Sequence, residues 1–273
     1  MQPESLSRLA DLVIHTADSE LPRHLSRGAG SRKADGSLVT AFDRRMQDAL
    51  VAALGKEWPD YALLGEEMEA GAQQQALARR AQGVWCIDPL DGTTNYAGGI
   101  PYYAVSVALL RDGRVELGVV YDPARGECFT AARGQGAWCN AEPLRSASGG
   151  VDLSQAVALV DFKRLAPALA RRLATNPPYQ SQRSFGAVAL DWCWLAAGRC
   201  DIYLHGRQKL WDYAAGCLIL EEAGGRALTL EGEAVYQPRL AGRSAAAALD
   251  PGLFRQWAGW LGIEQPNPLG DGL

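Results

Sequence analysis

The run Val84-Trp85-Cys86-Ile87-Asp88-Pro89-Leu90-Asp91-Gly92-Thr93-Thr94-Asn95-Tyr96 constrains this chain more than any other. Val84 to Ile87 is a short apolar segment of the kind that fills a buried strand. Pro89 carries no N–H and fixes φ. Ladder pairing is therefore predicted to end at Asp88, with the chain turning away and the Asp88 and Asp91 carboxylates close together. Two carboxylates at such a turn repel each other unless protons or a cation lie between them. A hard divalent cation relieves that repulsion, and Mg²⁺ typically takes one or two carboxylates together with water and phosphate oxygens. Gly92-Thr93-Thr94 then offers free backbone N–H groups at a predicted helix start, where an anion is favoured. A cation site directly beside an anion site is what phosphate-ester chemistry requires. For an isolated Asp-Gly-Thr the better reading is a loop whose aspartates only cap turns; the full run reverses that balance.

Two further acidic motifs stand apart from it. Leu64-Gly65-Glu66-Glu67 would be ordinary solvated surface, except that the apolar Tyr61-Ala62-Leu63-Leu64 predicts a strand delivering Glu66 to its end. Trp211-Asp212-Tyr213 precedes a predicted helix, Tyr213 to Ala223, stopped by Gly224-Gly225. Asp212 then reads as its N-cap, a role compatible with offering an outer oxygen to a metal.

Around these motifs the chain alternates helix and strand. Leu6, Leu9, Leu12 and Val13 share a helical face, and Met46, Leu50 and Leu54 share another in a helix that begins near Asp43 and is predicted to end at Gly55 and Pro59. Gly28 to Ser37 reads as a loop. Arg-Asp-Gly-Arg between Val105–Leu110 and Val115–Tyr121 is a hairpin signal, and Asp122 to Gly126 is a turn into a strand near Glu127 to Ala132. That is an antiparallel meander. The small, polar stretch Ser146 to Gly150 is a candidate boundary, after which strands at Ala156–Val160 and Asp201–Leu204 alternate with helices at Leu165–Ala174 and Ala187–Ala197.

With 273 residues, 48% of them hydrophobic, the chain can build a substantial core. A net charge of −4 argues against broad adhesion to nucleic acid. The six cysteines form no CxxC pair and read as reduced thiols of an intracellular protein rather than a zinc or disulfide framework. No signal-peptide pattern or membrane-spanning apolar stretch is present in the sequence, so a cytoplasmic location without a membrane is expected. His15, His24 and His205 show no metal-ligand spacing.

Together the three acidic motifs resemble those of the inositol monophosphatase family, within the larger lithium-sensitive, Mg²⁺-dependent sugar-phosphatase superfamily. Lys33-Ala-Asp-Gly-Ser-Leu-Val-Thr40-Ala-Phe-Asp43 resembles the family's N-terminal signature, and Arg183-Ser-Phe-Gly186-Ala-Val-Ala its substrate-side loop. The resemblance implies an α/β fold: a layered α-β-α-β-α sandwich with an α+β N-terminal half at 1–145, an α/β C-terminal half at 146–273, and the active site between them. It implies two or three Mg²⁺ per site. Glu66, Asp88 and the Leu90 carbonyl would hold one; Asp88, Asp91 and Asp212 a second; Glu66 would touch a weaker third in the family pattern. Gly92 and Thr93 would bind phosphate through backbone N–H groups. The Thr93 hydroxyl and Glu66 would orient the attacking water, while Asp91 and Asp212 approach the substrate hydroxyls. Gly186, Ala187 and His205 fall on the substrate side. The implied reaction is in-line hydrolysis of a small phosphorylated metabolite such as inositol 1-phosphate by a metal-activated water. A homodimer is common among such proteins.

The sequence departs from that pattern where a glutamate commonly contacts sugar hydroxyls: here His205 stands, followed by Arg207 and Lys209. Those two cations either favour a second anionic group or are solvated loop charges. Val188 is also bulkier than the small residue often found in the substrate-side loop. A 3′(2′),5′-bisphosphate nucleotidase is therefore an alternative. So is a non-catalytic partner in an RNA-processing or transcription complex.

Overall fold

The computed structural model describes residues 3–21, 31–32, 38–145 and 150–264. Most of the predicted boundary Ser146–Gly150, His24 and most of the Gly28–Ser37 loop lie outside them. Helix α1 (Pro3–Glu20) buries Leu9 and Val13 along one stripe. Strands β1 (Ser31–Arg32) and β2 (Leu38–Val39) pair antiparallel and lead into α2 (Ala41–Glu57), whose buried face is Met46, Leu50 and Leu54. Gly55 does not end α2; the helix continues to Glu57 and stops at Trp58. Gly55 has no atom within 4 Å of the position a Cβ would take, so it lies on an open face and exerts no steric demand on the chain.

Strand β3 (Ala62–Gly65), helix α3 (Ala70–Ala78), strand β4 (Val84–Asp91) and the short helix α4 (Thr93–Gly98) come next. The meander follows as β5 (Ala104–Arg111), β6 (Arg114–Asp122), β7 (Glu127–Ala132), β8 (Ala137–Cys139) and β9 (Glu142–Leu144). These strands form one seven-stranded sheet in sequence order, with β3 parallel to β4 and every later pair antiparallel. The β5–β6 hairpin turns on Asp112 and Gly113, both at positive φ, as the Asp-Gly pair predicts.

The remaining chain runs β10 (Val157–Asp161), α5 (Pro167–Thr175), β11 (Ser181–Arg183), α6 (Val188–Ala196), β12 (Ile202–Gln208), α7 (Leu210–Glu222), β13 (Arg226–Leu228), β14 (Arg243–Ala248) and α8 (Pro251–Leu261). A second sheet takes the order β11-β10-β12-β14-β13, with β10 parallel to β11 and β12.

The layers follow from which faces are apolar. Helices α1 and α2 cover one face of the seven-stranded sheet, packing on Trp85, Ile87, Val105 and Val107. Helices α6 and α7 are apolar on nearly all sides and fill the space between the two sheets, with Trp192, Tyr213 and Ile219 in a core that includes Cys86, Ala108, Tyr203 and Ala245. On the far side, α5 and α8 bring Leu173, Phe254 and Trp257 against Val160, Leu204 and Ala246. The alternation along β14 is consistent with this: Ala245 and Ala247 join the inner core, Ala246 and Ala248 the outer one. The fold is thus the layered α-β-α-β-α sandwich. Among the described residues no helix is long and apolar enough to cross a membrane.

Two glycines let the middle layer close. A Cβ on Gly118 would stand 2.9 Å from the Ala215 carbonyl oxygen, and one on Gly216 would stand 2.4 Å from the Trp192 Cβ. Helix α7 therefore lies against β6 on one side and α6 on the other with no room for a side chain. Gly216→Val is expected to lose about 1–3 kcal/mol by overpacking, read as a lower denaturation midpoint; an unchanged midpoint would show that the α6–α7 contact is slack.

Candidate active site

The site begins with a bulge. Asp88 pairs with Ser106 and Asp91 with Ala104, so three steps along β4 oppose two along β5. Strand β4 therefore does not end at Asp88, as Pro89 predicted; it bulges and resumes pairing at Asp91. In a regular strand, residues three apart face opposite sides, and one extra residue turns Asp88 and Asp91 to the same side. Pro89 sits inside the bulge, where its missing N–H interrupts no ladder bond.

Each carboxylate is then anchored. Asp88 Oδ1 accepts the Leu90 N–H at 3.0 Å, and Asp91 Oδ2 accepts the Ala189 N–H at 2.6 Å, tying β4 to the start of α6. Asp212 is not the N-cap of α7, because that helix starts three residues earlier than predicted, at Leu210. It occupies the third helical position, and its Oδ2 accepts the Lys209 N–H at 2.7 Å. Glu66 follows β3, its N–H donating to the Ile87 carbonyl at 3.2 Å, while the Gly65 and Glu66 carbonyls accept from Gln73 Nε2 at 2.9 and 3.2 Å.

Glu66, Asp88, Asp91 and Asp212 line one cleft of about 800 Å³. Burial, then the charges of Glu66, Asp91 and Asp212, hold the Asp88 carboxyl well above the usual carboxylate range. Burial and the Asp212 charge do the same to Asp91. Burial and the Glu66 charge push Asp212 up to about 7, with Lys209 and Arg164 offsetting part of the rise.

The residues expected to bind phosphate continue from β4. Gly92 caps α4 at φ 87°, and a Cβ there would lie 3.0 Å from both the Ala187 Cβ and the Tyr102 carbonyl oxygen, so only glycine fits. Thr93 Oγ1 lies 2.8 Å from Asp43 Oδ1 and 3.0 Å from the Leu90 carbonyl oxygen. Asp43 is buried, and its other oxygen accepts the Thr40 N–H at 2.7 Å and the Thr40 hydroxyl at 2.5 Å. Sequence reasoning placed Asp43 only at a helix start and in a signature. Its burial is what marks it as more than a cap, since a cap works equally well in water. Gln47 is another omission: its Oε1 accepts the Glu67 N–H at 2.9 Å.

Of the residues expected on the substrate side, Gly186 lines the cleft, as does Val188, whereas the Ala187 side chain is fully buried behind Gly92. His205 also borders the cleft but is itself buried. Its Nδ1 accepts the Arg207 N–H at 3.1 Å, and its Nε2 lies 3.1 Å from Asp161 Oδ2. Asp191, absent from the sequence reading, borders the cleft as well. It accepts the Tyr102 hydroxyl at 2.9 Å, and its burial pushes its carboxyl up to about 8. His15 is exposed, remote in sequence and helix from these groups. All six cysteines are free thiols.

The donor set fits a hard cation: several carboxylate oxygens and a backbone carbonyl, with mutual repulsion that a positive charge relieves. Among the described residues no three Asp, Glu, His or Cys side chains are drawn together as a metal-holding group; the carboxylates stand along the cleft wall. The molecule is thus a layered sandwich with a carboxylate-lined cleft beside a glycine-started helix. The family model of the inositol monophosphatase family matches residues 5–258, and the chain belongs to that family. It is 39% identical over 211 residues to the Nus factor SuhB of Pasteurella multocida, covering 75% of this chain and 76% of that protein. It is 36% identical over 238 residues to the inositol-1-monophosphatase of Mesorhizobium japonicum, covering 83% and 87%. The crystal structure of extragenic suppressor protein suhB from Bartonella henselae superposes with a TM-score of 0.80 at 28% identity, over 94% of this chain and 98% of that one.

The raised carboxyls carry a pH signature. Asp212 and Asp191 would release their protons near about 3.9 when unfolded but hold them to about 7 and about 8 when folded. A raised folded pKa adds stability that is complete below the unfolded value and is lost as pH climbs through the folded one. In EDTA the melting temperature is expected to fall between pH 5 and pH 8, and added Mg²⁺ to restore it most at pH 8. A melting temperature rising across that interval in EDTA would contradict the assignment.

Proposed function

We propose that this protein is a Mg²⁺-dependent phosphomonoesterase acting on a small phosphorylated metabolite. The observation that carries this reading is the bulge that turns Asp88 and Asp91 to one side of β4, into a cleft shared with Glu66 and Asp212 and bordered by the start of α4. Glu66, Asp88, the Leu90 carbonyl, Asp91 and Asp212 would hold the Mg²⁺, whose chemistry when bound is to neutralise these charges, polarise phosphoryl oxygens and acidify water.

The chain's own residues account for the rest. The first N–H groups of α4, at Thr93 and Thr94, have no partner within the helix and are available to phosphate oxygens. The Thr93 hydroxyl has one proton, and the charged Asp43 oxygen at 2.8 Å is a stronger acceptor than the Leu90 carbonyl at 3.0 Å. With that proton directed to Asp43, the lone pairs of Oγ1 are free to accept a proton from water on the cleft side. Water adds to phosphorus as the ester P–O bond breaks; its proton passes to Thr93 Oγ1 as the Thr93 proton passes to Asp43, solvent water protonates the leaving alkoxide, and Asp43 then returns its proton to solvent. Orthophosphate and an alcohol result. Positioning and charge supply most of the rate in such a transfer.

The name Nus factor SuhB carried by the Pasteurella relative favours a second reading, a non-catalytic partner in a larger complex. A purely structural role would leave unexplained why charges that repel each other are kept together in a cleft.

Phosphate release from inositol 1-phosphate, adenosine 3′,5′-bisphosphate, fructose 1,6-bisphosphate and histidinol phosphate, with Mg²⁺, EDTA or added Li⁺, tests the proposal. Turnover that depends on Mg²⁺ and falls about 10²-fold or more in Asp91→Asn is expected. No turnover of any compound by folded, Mg²⁺-bound protein would favour the second reading. Asp43→Asn keeps the cap geometry and removes the charge facing Thr93; its kcat is expected to fall about 10²-fold with KM little changed. An unaltered kcat would remove Asp43 from the proton path.

A further inference from the structure

We propose that the outer wall of the cleft is a subsite for a second anionic group, so that the preferred substrates carry a phosphate or comparable anion besides the one removed. The inference rests on the phosphomonoesterase reading and narrows its substrate class.

Three cations line this wall: Arg164, from the 3₁₀ turn Phe162–Arg164 after β10, Arg207, from the end of β12, and Lys209, between β12 and α7. All three are exposed, and among the described residues none has an ion-pair partner. Two acids feel these charges, Asp161 through Arg164 and Asp212 through Lys209 and Arg164, but neither stands within ion-pair distance of them, and Asp161 has nearer partners. Asp161 Oδ2 faces His205 Nε2 at 3.1 Å, and its Oδ1 accepts the Lys163 N–H at 2.8 Å.

The backbone is built to bring these charges together. A Cβ on Gly206 would stand 1.8 Å from the Arg164 carbonyl oxygen, so β12 touches the 3₁₀ turn only because residue 206 is glycine. The His205–Asp161 contact joins the same two segments from the other side. Beyond His205 the register of β12 against β14 shifts before Gln208, and this bulge redirects the strand end that carries Arg207 and leads to Lys209. The stem of Arg207 lies over Gly242, where a Cβ would approach its Cγ to 2.6 Å.

His205 decides what the wall recognises. A polyol needs acceptors as well as donors. Here Nδ1 already accepts the Arg207 N–H, and Nε2 donates to Asp161, so the imidazole has no lone pair to offer a hydroxyl. What remains at this wall is guanidinium and ammonium donors, and these suit a phosphate. A cleft of about 800 Å³ has room for a substrate with two such groups.

Matched pairs test the subsite: adenosine 3′,5′-bisphosphate against adenosine 3′-monophosphate, and fructose 1,6-bisphosphate against fructose 1-phosphate, with inositol 1-phosphate as reference, all with Mg²⁺. In at least one pair the bisphosphate is expected to have a KM about tenfold lower or more, as one charge-assisted contact supplies. Its KM should also rise more steeply with ionic strength than its partner's. Arg164→Gln/Arg207→Gln, folded by its melting curve, should raise the bisphosphate KM about tenfold with kcat retained and erase most of the difference within the pair. Arg207→Lys alone should keep part of the preference. Turnover of inositol 1-phosphate with no gain from a second phosphate in either pair would overturn this inference and leave the phosphatase reading intact. An equal rise of KM for both members of a pair would also overturn it, since the cations would then serve the transferred phosphate. No turnover of any compound would overturn both.

Discussion

The like-charge crowding at the bulge of β4 is the constraint on which the rest of the site depends. One additional residue between Asp88 and Asp91 turns both carboxylates to the same side of the seven-stranded sheet, where Glu66 and Asp212 also face. Buried anions that close are tolerated only when backbone dipoles and a counter-charge hold them. The backbone supplies the first part. Leu90, Ala189 and Lys209 each give one N–H to Asp88, Asp91 and Asp212 respectively. A divalent cation is the natural source of the second.

These same bonds connect the site to the core. Asp91 fastens the start of α6, and Asp212 fastens the start of α7, the two helices packed between the sheets. The glycines at 118 and 216 let that middle layer approach β6 and α6 without an intervening side chain. Close packing of the interior therefore sets where the carboxylates stand, because a shift of either helix would move an anion. Conversely, relieving the charge at the cleft stabilises the contact between β4 and the middle layer. Binding and folding are linked through the same atoms.

The cleft is electrostatically two-sided. Its base is carboxylate, its outer wall guanidinium and ammonium, and the neutral pair of helix N–H donors at α4 lies beside the base. Asp161 faces His205 at 3.1 Å, and among the described residues no acid stands within ion-pair distance of the wall's cations. A ligand that places one phosphate at the base and another anion at the wall satisfies both sides together.

Much of the base was legible in the sequence. Carboxylates at the ends of apolar runs announce themselves, since a strand ends in the open and an acid there must be solvated or ligated; this located Glu66, Asp88 and Asp91, and the Asp-Gly hairpin at 112–113 followed from positive φ alone. The bulge at Pro89 was not legible, because a proline ends a strand or bulges it depending on whether the neighbouring strand resumes pairing beyond it. Asp43 read only as lying near a helix start, because its Thr40 contacts are local, and only the fold brings Thr93, fifty residues later, against its other oxygen. His205 read as a substrate contact, but its two nitrogens were claimed by Arg207 and by Asp161 on another strand. The sequence by itself determined which residue types could hold cations and phosphate, since those are properties of side chains and their local backbone. Tertiary structure alone decided which of them share a face, which are already paired, and which charges remain for a ligand, because those depend on distances between segments far apart in the chain.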